Sequence, residues 1–204
     1  MFITFEGADG SGKTTQLLRL AKTLTKLGYP VVTTREPGGT KVAEKIRDLL
    51  LHEWEEPIYK ETEALLYAGA RAQHVEGLIK PALEQGHIVL CDRFIDSSLV
   101  YQGMARGLGQ EEVLSINRMA IKDLWPDCTF VIDIPVEVSK KRMSLMGKEL
   151  DRLEQEQEAF KEKIREGYLA LSHQYPERLI VLDGCLSEDR IEALIWAEVQ
   201  KKMR

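Results

Sequence analysis

Glu6-Gly7-Ala8-Asp9-Gly10-Ser11-Gly12-Lys13-Thr14-Thr15 contains, from Gly7 to Thr14, the pattern G-x-x-x-x-G-K-[ST] without a gap. Met1 to Phe5, just before it, reads as a short buried strand. Just after it, Leu17, Leu18, Leu20, Ala21 and Leu24 recur at helical spacing. Strand, glycine loop and helix together are the context in which this motif holds phosphate; a chance glycine turn would not need the whole pattern with both flanks. Glycines let backbone N–H groups turn inward and come close to phosphate oxygens. The loop runs into a helix N-terminus, where unpaired N–H groups and the macrodipole favour anions. Lys13 supplies a point charge for the β- and γ-phosphates, and the Thr14 hydroxyl suits Mg²⁺. The residues Gly7, Ala8, Asp9, Gly10, Ser11, Gly12, Lys13, Thr14 and Thr15 are therefore the candidate triphosphate site. The loop implies a nucleoside triphosphate, not what becomes of it.

Outward from the loop, apolar strand-like runs alternate with helical patterns, as in a parallel α/β sheet. The first helix, 12–27, ends at Gly28-Tyr29-Pro30, and Val31 to Arg35 is the second strand. Thr40 is a plausible N-cap for a helix marked by Val42, Ile46, Leu49 and Leu50. Residues 60–85 read as one long helix with a core stripe of Leu65, Ala68, Ala72, Val75, Ile79, Ala82 and Leu83. Ile88 to Cys91 is an apolar third strand, and helices over about 96–103 and 110–122 follow. Cys128 to Ile134 is the fourth strand, a helix covers about 136–145, and residues 146–154 read as a charged lid. A helix carrying Phe160, Ile164, Tyr168 and Leu171, a fifth strand from Arg178 to Leu182 and a final helix capped by Ser187 complete the chain. The expected fold is α/β, a five-stranded parallel sheet with helices on both faces and a small lid, in one domain over 1–204.

With 44% hydrophobic and 30% charged residues, the composition is that of a globular protein able to bury a core. A net charge of −5 argues against nucleic acid as the main partner, because counterion-driven binding wants a basic surface. Cys91, Cys128 and Cys185 are far apart and odd in number, which implies buried, reduced thiols in a cytoplasmic chain. The histidines His52, His74, His87 and His173 are scattered, and no metal site made by protein alone is expected. No apolar run approaches the roughly 20 residues of a membrane span, and a strand starting at Phe2 leaves no place for a signal peptide.

In open α/β sheets ligands sit beyond the carboxyl ends of the strands. Asp9, Arg35-Glu36 and Asp92-Arg93 all fall there. Two arginines converging on a phosphate loop point to a second phosphate facing the triphosphate, the geometry of a phosphotransferase with a phosphorylated acceptor. The alternative is that Arg35 and Arg93 pair with neighbouring carboxylates as structural bridges. Tyr67, Arg71 and His74 share a helix face distinct from the core stripe, suited to stacking on a base and reaching its edge. A solvated helix face accounts for the same spacing.

At this point the chain resembles the bacterial thymidylate kinases, P-loop nucleoside monophosphate kinases, over essentially its whole length. The resemblance is carried by Phe5 to Thr15, Thr34-Arg35-Glu36-Pro37-Gly38-Gly39-Thr40, Leu65 to His74, Asp92 to Ser98 with Tyr101-Gln102-Gly103, and Asp151-Arg152-Leu153-Glu154. It implies a P-loop hydrolase-type fold, transfer of the ATP γ-phosphate to dTMP, Mg²⁺ as cofactor, and a homodimer. It further implies that Arg35 and Arg93 hold the acceptor phosphate, that Tyr67 (where Phe is usual) stacks on thymine, and that Arg71 reaches a base carbonyl. Ser98 and Gln102 would sit near the base and Tyr101 under the sugar. Asp9 would lie at the acceptor sugar and the metal, Asp92 would place Mg²⁺ through water, and Arg142 would lie against the donor adenine. Enzymes of this kind without an arginine in the phosphate loop place one in the lid. In the lid of about 143–154, Lys148 is nearest by spacing and Arg152 is second. The expected catalytic set is Lys13, Asp9, Arg93, Lys148 and Arg152. The rival readings are a kinase for CMP, UMP or dGMP, and a non-catalytic P-loop switch. Dependence of ADP release on dTMP separates the switch from the enzymes. For the dimer there is one supporting feature, the small apolar residues on more than one face of Ala64 to Ala72.

Overall fold

The computed structural model describes residues 1–146, 152 and 156–203. Five parallel strands, β1 (Phe2–Glu6), β2 (Val31–Arg35), β3 (Ile88–Asp92), β4 (Cys128–Asp133) and β5 (Leu179–Asp183), lie in the order β2-β3-β1-β4-β5. The loop-bearing strand β1 is central, and its neighbours β3 and β4 flank it. Alternating side chains divide the core. Ile3 and Phe5 of β1, Ile88 and Leu90 of β3, and Phe130 and Ile132 of β4 pack on α1 (Lys13–Lys26) and α9 (Glu188–Lys202). Phe2, Val89, Cys91 and Val131 face the other way, toward residues of α5 (Ile95–Ser98), α6 (Gln110–Ile121) and α8 (Glu158–Gln174). The helix α2 (Lys41–Leu51) packs on α3 (Lys60–His74), and α7 (Val136–Met146) packs on α8.

Thr40 caps α2 with a 3.2 Å bond from the Ala43 N–H, as its sequence position indicates. The strand limits differ from the expected ones by a residue at most: β4 stops at Asp133, and β5 begins at Leu179, just after Arg178, whose side chain bonds Asp96.

Two helical readings need correction. The long helix of residues 60–85 is interrupted: α3 (Lys60–His74) widens into a π-helical turn, Val75–Ile79, before α4 (Lys80–Glu84). Pro81 explains the break, because its ring lacks an N–H and clashes with the carbonyl of Gly77 four residues earlier. Likewise α5 passes into a wide turn, Leu99–Ala105, closed by the Arg106 N–H on the Tyr101 carbonyl at 2.9 Å. Leu65, assigned to the core stripe, is 59% exposed. Cys91 and Cys128 are buried and Cys185 is exposed, so burial holds for two of the three thiols. Among the described residues no helix is long and apolar enough to cross a membrane.

Candidate active site

Strand register sets the site. Phe5 lies opposite Asp92, and Asp92 opposite Arg35, so the charged residues that end β1, β2 and β3 share one edge. There the chain opens a cavity of about 340 Å³ between the glycine loop, α3 and the turn after α5. It brings together Asp9, Gly10, Gly12, Lys13, Thr14 and Thr15 from the loop with Arg35, Asp92 and Arg93. Tyr67, Arg71, Ser98, Tyr101 and Gln102 line it from the far side. Gly7, Ala8, Ser11, Arg142 and Arg152 lie outside its lining, and Lys148 is outside the described residues.

The loop is built by conformation. Gly7 has φ 131°, and a Cβ there would stand 2.4 Å from the Ile132 carbonyl oxygen, so no side chain fits. Gly12 has φ 100° at the head of α1 and caps it with no side-chain bond, as at a helix start whose N–H groups are open to an anion. Lys13 is buried and its Nζ donates to the Ala8 carbonyl at 2.9 Å, with Asp9 Oδ1 at 3.7 Å. Burial, then the Arg93 charge, push the Lys13 pKa down, while Asp9, Asp92 and Glu6 oppose that. Arg142 supports the loop from outside. Its guanidinium donates to the Gly10 carbonyl at 3.2 Å and to the Gly184 carbonyl, past β5, at 2.9 Å. Thr14 Oγ1 donates to Asp92 Oδ2 at 2.5 Å, which puts a hydroxyl and a carboxylate side by side at the loop mouth.

Both strand-end arginines have carboxylate partners. Arg35 lays its fork on Glu44, at 2.7 and 3.0 Å, and Glu44 also accepts the Gly39 N–H. That bond is the main cause of an Arg35 pKa above, and a Glu44 pKa below, the ordinary value. Arg93 sits at a backbone φ of 69° and donates to Asp9 Oδ1 at 2.7 Å, with its guanidinium 5.1 Å from the Tyr101 ring centroid. The bridging arrangement and the cavity-lining one coexist, because a guanidinium has five donors.

The helix face of Tyr67, Arg71 and His74 is neither solvated nor wholly open to the cavity. Arg71 is 1% exposed: Nε donates to Glu36 Oε2 at 2.8 Å, NH1 to Ser98 and Asn117, and NH2 to the Phe94 carbonyl at 3.1 Å. Among the described residues at least one of its five N–H donors is left over. His74 is fully buried between Glu36 and Thr34, at 3.0 and 2.7 Å, and frames the site instead of facing it. Gln102 Nε2 donates to Glu63 Oε1 at 3.0 Å, and Arg152 NH2 reaches Glu63 Oε2 at 2.5 Å while its Nε donates to the Leu50 carbonyl.

Several residues gained a place only from the structure. Arg47, Phe94, Ser97 and Met143 line the cavity. Glu63, buried, collects Gln102 and Arg152, and it lies one helical turn before Tyr67 on the stripe that Arg71 continues, so the periodicity could have found it. Asn117 and Tyr168 come from distant helices with no local sign of their role.

A family model described as thymidylate kinase matches residues 5–195. The chain is 50% identical to a thymidylate kinase of Caldanaerobacter subterraneus subsp. tengcongensis, over 100% of this chain and 96% of that protein. It is 48% identical to a thymidylate kinase of Acholeplasma laidlawii, with 100% of both covered. A crystal structure of the thymidylate kinase from Ehrlichia chaffeensis superimposes with a TM-score of 0.79 at 34% identity, covering 98% of each chain. Phosphate loop, paired arginines and a family match spanning nearly all of both agree: the chain belongs to the thymidylate kinase family.

Proposed function

We propose that this chain phosphorylates dTMP to dTDP with the γ-phosphate of ATP. The observation that carries this reading is the cavity in which the phosphate loop faces Arg35 and Arg93, with Tyr67, Arg71, Ser98 and Gln102 beyond them. The triphosphate occupies the loop amides and Lys13. The acceptor phosphate lies between Arg35 and Arg93, with its sugar over Tyr101 and near Asp9. Thymine stacks on Tyr67 and takes the remaining Arg71 donor through a carbonyl, and Ser98 and Gln102 border it. Arg142, bound to the loop carbonyls, flanks the donor nucleotide. Whether Lys148 or Arg152 acts from the lid is decided by mutation; the ion pair of Arg152 with Glu63 favours Lys148.

The acceptor is already close to a dianion at neutral pH, so no strong base is needed. An acceptor oxygen attacks the γ-phosphorus in line as the bond to the ADP oxygen breaks. Lys13 and the arginines hold the two anions in register and offset their repulsion. Thr14 Oγ1 and Asp92, adjacent hard oxygen donors, fit Mg²⁺, with Asp9 close to Lys13. Bound there, Mg²⁺ would neutralise β- and γ-phosphate charge. Closure of the lid excludes water, the competing acceptor.

Two further readings belong with this one. The chain forms a homodimer through α3 and α6, which pack together and leave Leu65 59% and Met119 83% exposed on a face open at Gly69. It works in the cytoplasm as one domain, where buried, unbridged Cys91 and Cys128 stay reduced. Coupled ADP release over a panel of nucleoside monophosphates tests the activity: dTMP-dependent turnover is expected, and release indifferent to dTMP refutes it. Light scattering near the monomer mass of 23.2 kDa would refute the dimer.

A further inference from the structure

Glu6 ends β1 directly before the phosphate loop, yet its carboxylate turns away from it. It is fully buried. Oε1 accepts the backbone N–H of Phe94 at 2.8 Å and of Ser97 at 3.3 Å. Oε2 accepts the Ser97 hydroxyl at 2.6 Å and the Tyr168 hydroxyl at 2.7 Å. A buried carboxylate is costly unless its lone pairs are filled, and these are. What its donors share is Arg93. Phe94 directly follows the left-handed bend at Arg93, and both hydroxyls also lie 3.3 Å from Arg93 NH1.

We infer that Glu6 is a positioning residue for the acceptor phosphate, holding Arg93 in place through Ser97 and Tyr168; this rests on the assignment of Arg93 to that phosphate. A hydroxyl has one hydrogen and two lone pairs, whereas an ionised carboxylate only accepts. Oε2 therefore takes both hydroxyl hydrogens and leaves oxygen lone pairs for the guanidinium. The amide contacts fix the backbone at the bend, a conformation that an arginine does not keep without support. Asp9 and the Tyr101 ring hold the guanidinium from its other sides. Protonating Oε2 makes it a donor to one of the two hydroxyls, which must then turn its own hydrogen elsewhere.

Charge supports the same role. Burial first, then Asp96, push the Glu6 pKa up to about 7, against Arg93 and the bonds from Ser97 and Tyr168. Lys13, Cys91, Tyr101 and Arg178 also feel its charge. Ionised Glu6 is then the competent form, and acceptor use falls as pH drops through its pKa.

The test is steady-state kinetics of Glu6→Gln, Tyr168→Phe and Arg93→Ala, with melting temperatures. Glu6→Gln should raise KM for dTMP about tenfold or more, the loss of charge-assisted bonds, with KM for ATP and kcat nearly unchanged. Tyr168→Phe should shift KM for dTMP the same way by a few-fold, and the double variant should fall short of additivity. In wild type, kcat/KM for dTMP should decline below about pH 7; in Glu6→Gln that limb should move toward the substrate phosphate's own ionisation, about 6. Wild-type KM for dTMP in Glu6→Gln, equal rises for both substrates, or an unmoved acid limb overturns the inference. Should Glu6→Gln not fold, wild-type KM for dTMP in Tyr168→Phe overturns it. If Arg93→Ala itself leaves dTMP kinetics intact, the Arg93 assignment fails instead; if only Arg93→Ala is impaired, Glu6 alone is acquitted of the role.

Discussion

Glu36→Gln should separate the frame of the base pocket from its contacts. Glu36 is buried and accepts Arg71 Nε at 2.8 Å and binds His74 Nδ1 at 3.0 Å. An amide in its place can keep both bonds, its oxygen on Arg71 and its N–H on His74, provided the histidine proton moves to the nitrogen that faces Thr34. The shape survives, and what is lost is the charge opposite a fully buried guanidinium. Breaking a buried pair from one side costs about 3–5 kcal/mol, and the retained bonds place this change near the lower end, about 3 kcal/mol. For a chain of this size 1 kcal/mol moves Tm by about 2–4 °C, so a fall of roughly 6–12 °C is expected in a thermal melt. Ser98, Asn117 and the Phe94 carbonyl still grip Arg71, so kcat/KM for dTMP should fall less than about tenfold. An unchanged Tm would refute the reasoning. So would a loss above about 100-fold in kcat/KM at wild-type Tm, since Glu36 would then contact substrate and not merely its frame.

Arg93→Ala should lower kcat/KM for dTMP by roughly 30- to 1000-fold, the value of a bidentate phosphate contact of about 2–4 kcal/mol, with ATP binding retained in a nucleotide-titration assay. Lys148→Ala should lower kcat with both KM values within a few-fold, and Lys148→Arg should keep or raise it; Arg152→Ala being far more damaging than Lys148→Ala reverses the assignment. Stability near Glu6 should run against the usual carboxylate trend. Its folded pKa, near 7, lies above the unfolded 4.5, so the folded state holds the extra proton between those values and stability declines as pH rises from 4.5 to 7, by on the order of 3 kcal/mol. Melts of wild type against Glu6→Gln across that window check it, and a slope shared by both excludes Glu6 as its source. Glu44, whose pKa is lowered by Arg35, contributes in the opposite sense: its stabilisation is present above the unfolded pKa and is lost on acidification below it.

The sequence alone carried the phosphate loop, the parallel α/β sheet and the convergence of Arg35, Asp92 and Arg93. These follow from contiguous backbone and from strand direction: a parallel sheet brings the ends of all its strands to one edge, whatever lies between them. It also carried the spacing of Tyr67, Arg71 and His74, but not what that face meets. Periodicity says which residues lie together on a helix and nothing about the segment that covers them. Glu36, 35 residues from Arg71, and Asn117, 46 residues away, turn that face into a buried ion network only once the chain is packed. Residues 60–85 read as one helix by periodicity, and only the structure shows the turn before Pro81 widened at the buried Val75 and Ile79. The tie from Glu6 to Tyr168 spans 162 residues. Neither residue is unusual in its own stretch, since a carboxylate beside a glycine loop and a tyrosine in a core stripe each have a local explanation. Only the tertiary structure removes water from around them, and without water the carboxylate must be satisfied by the groups that hold Arg93.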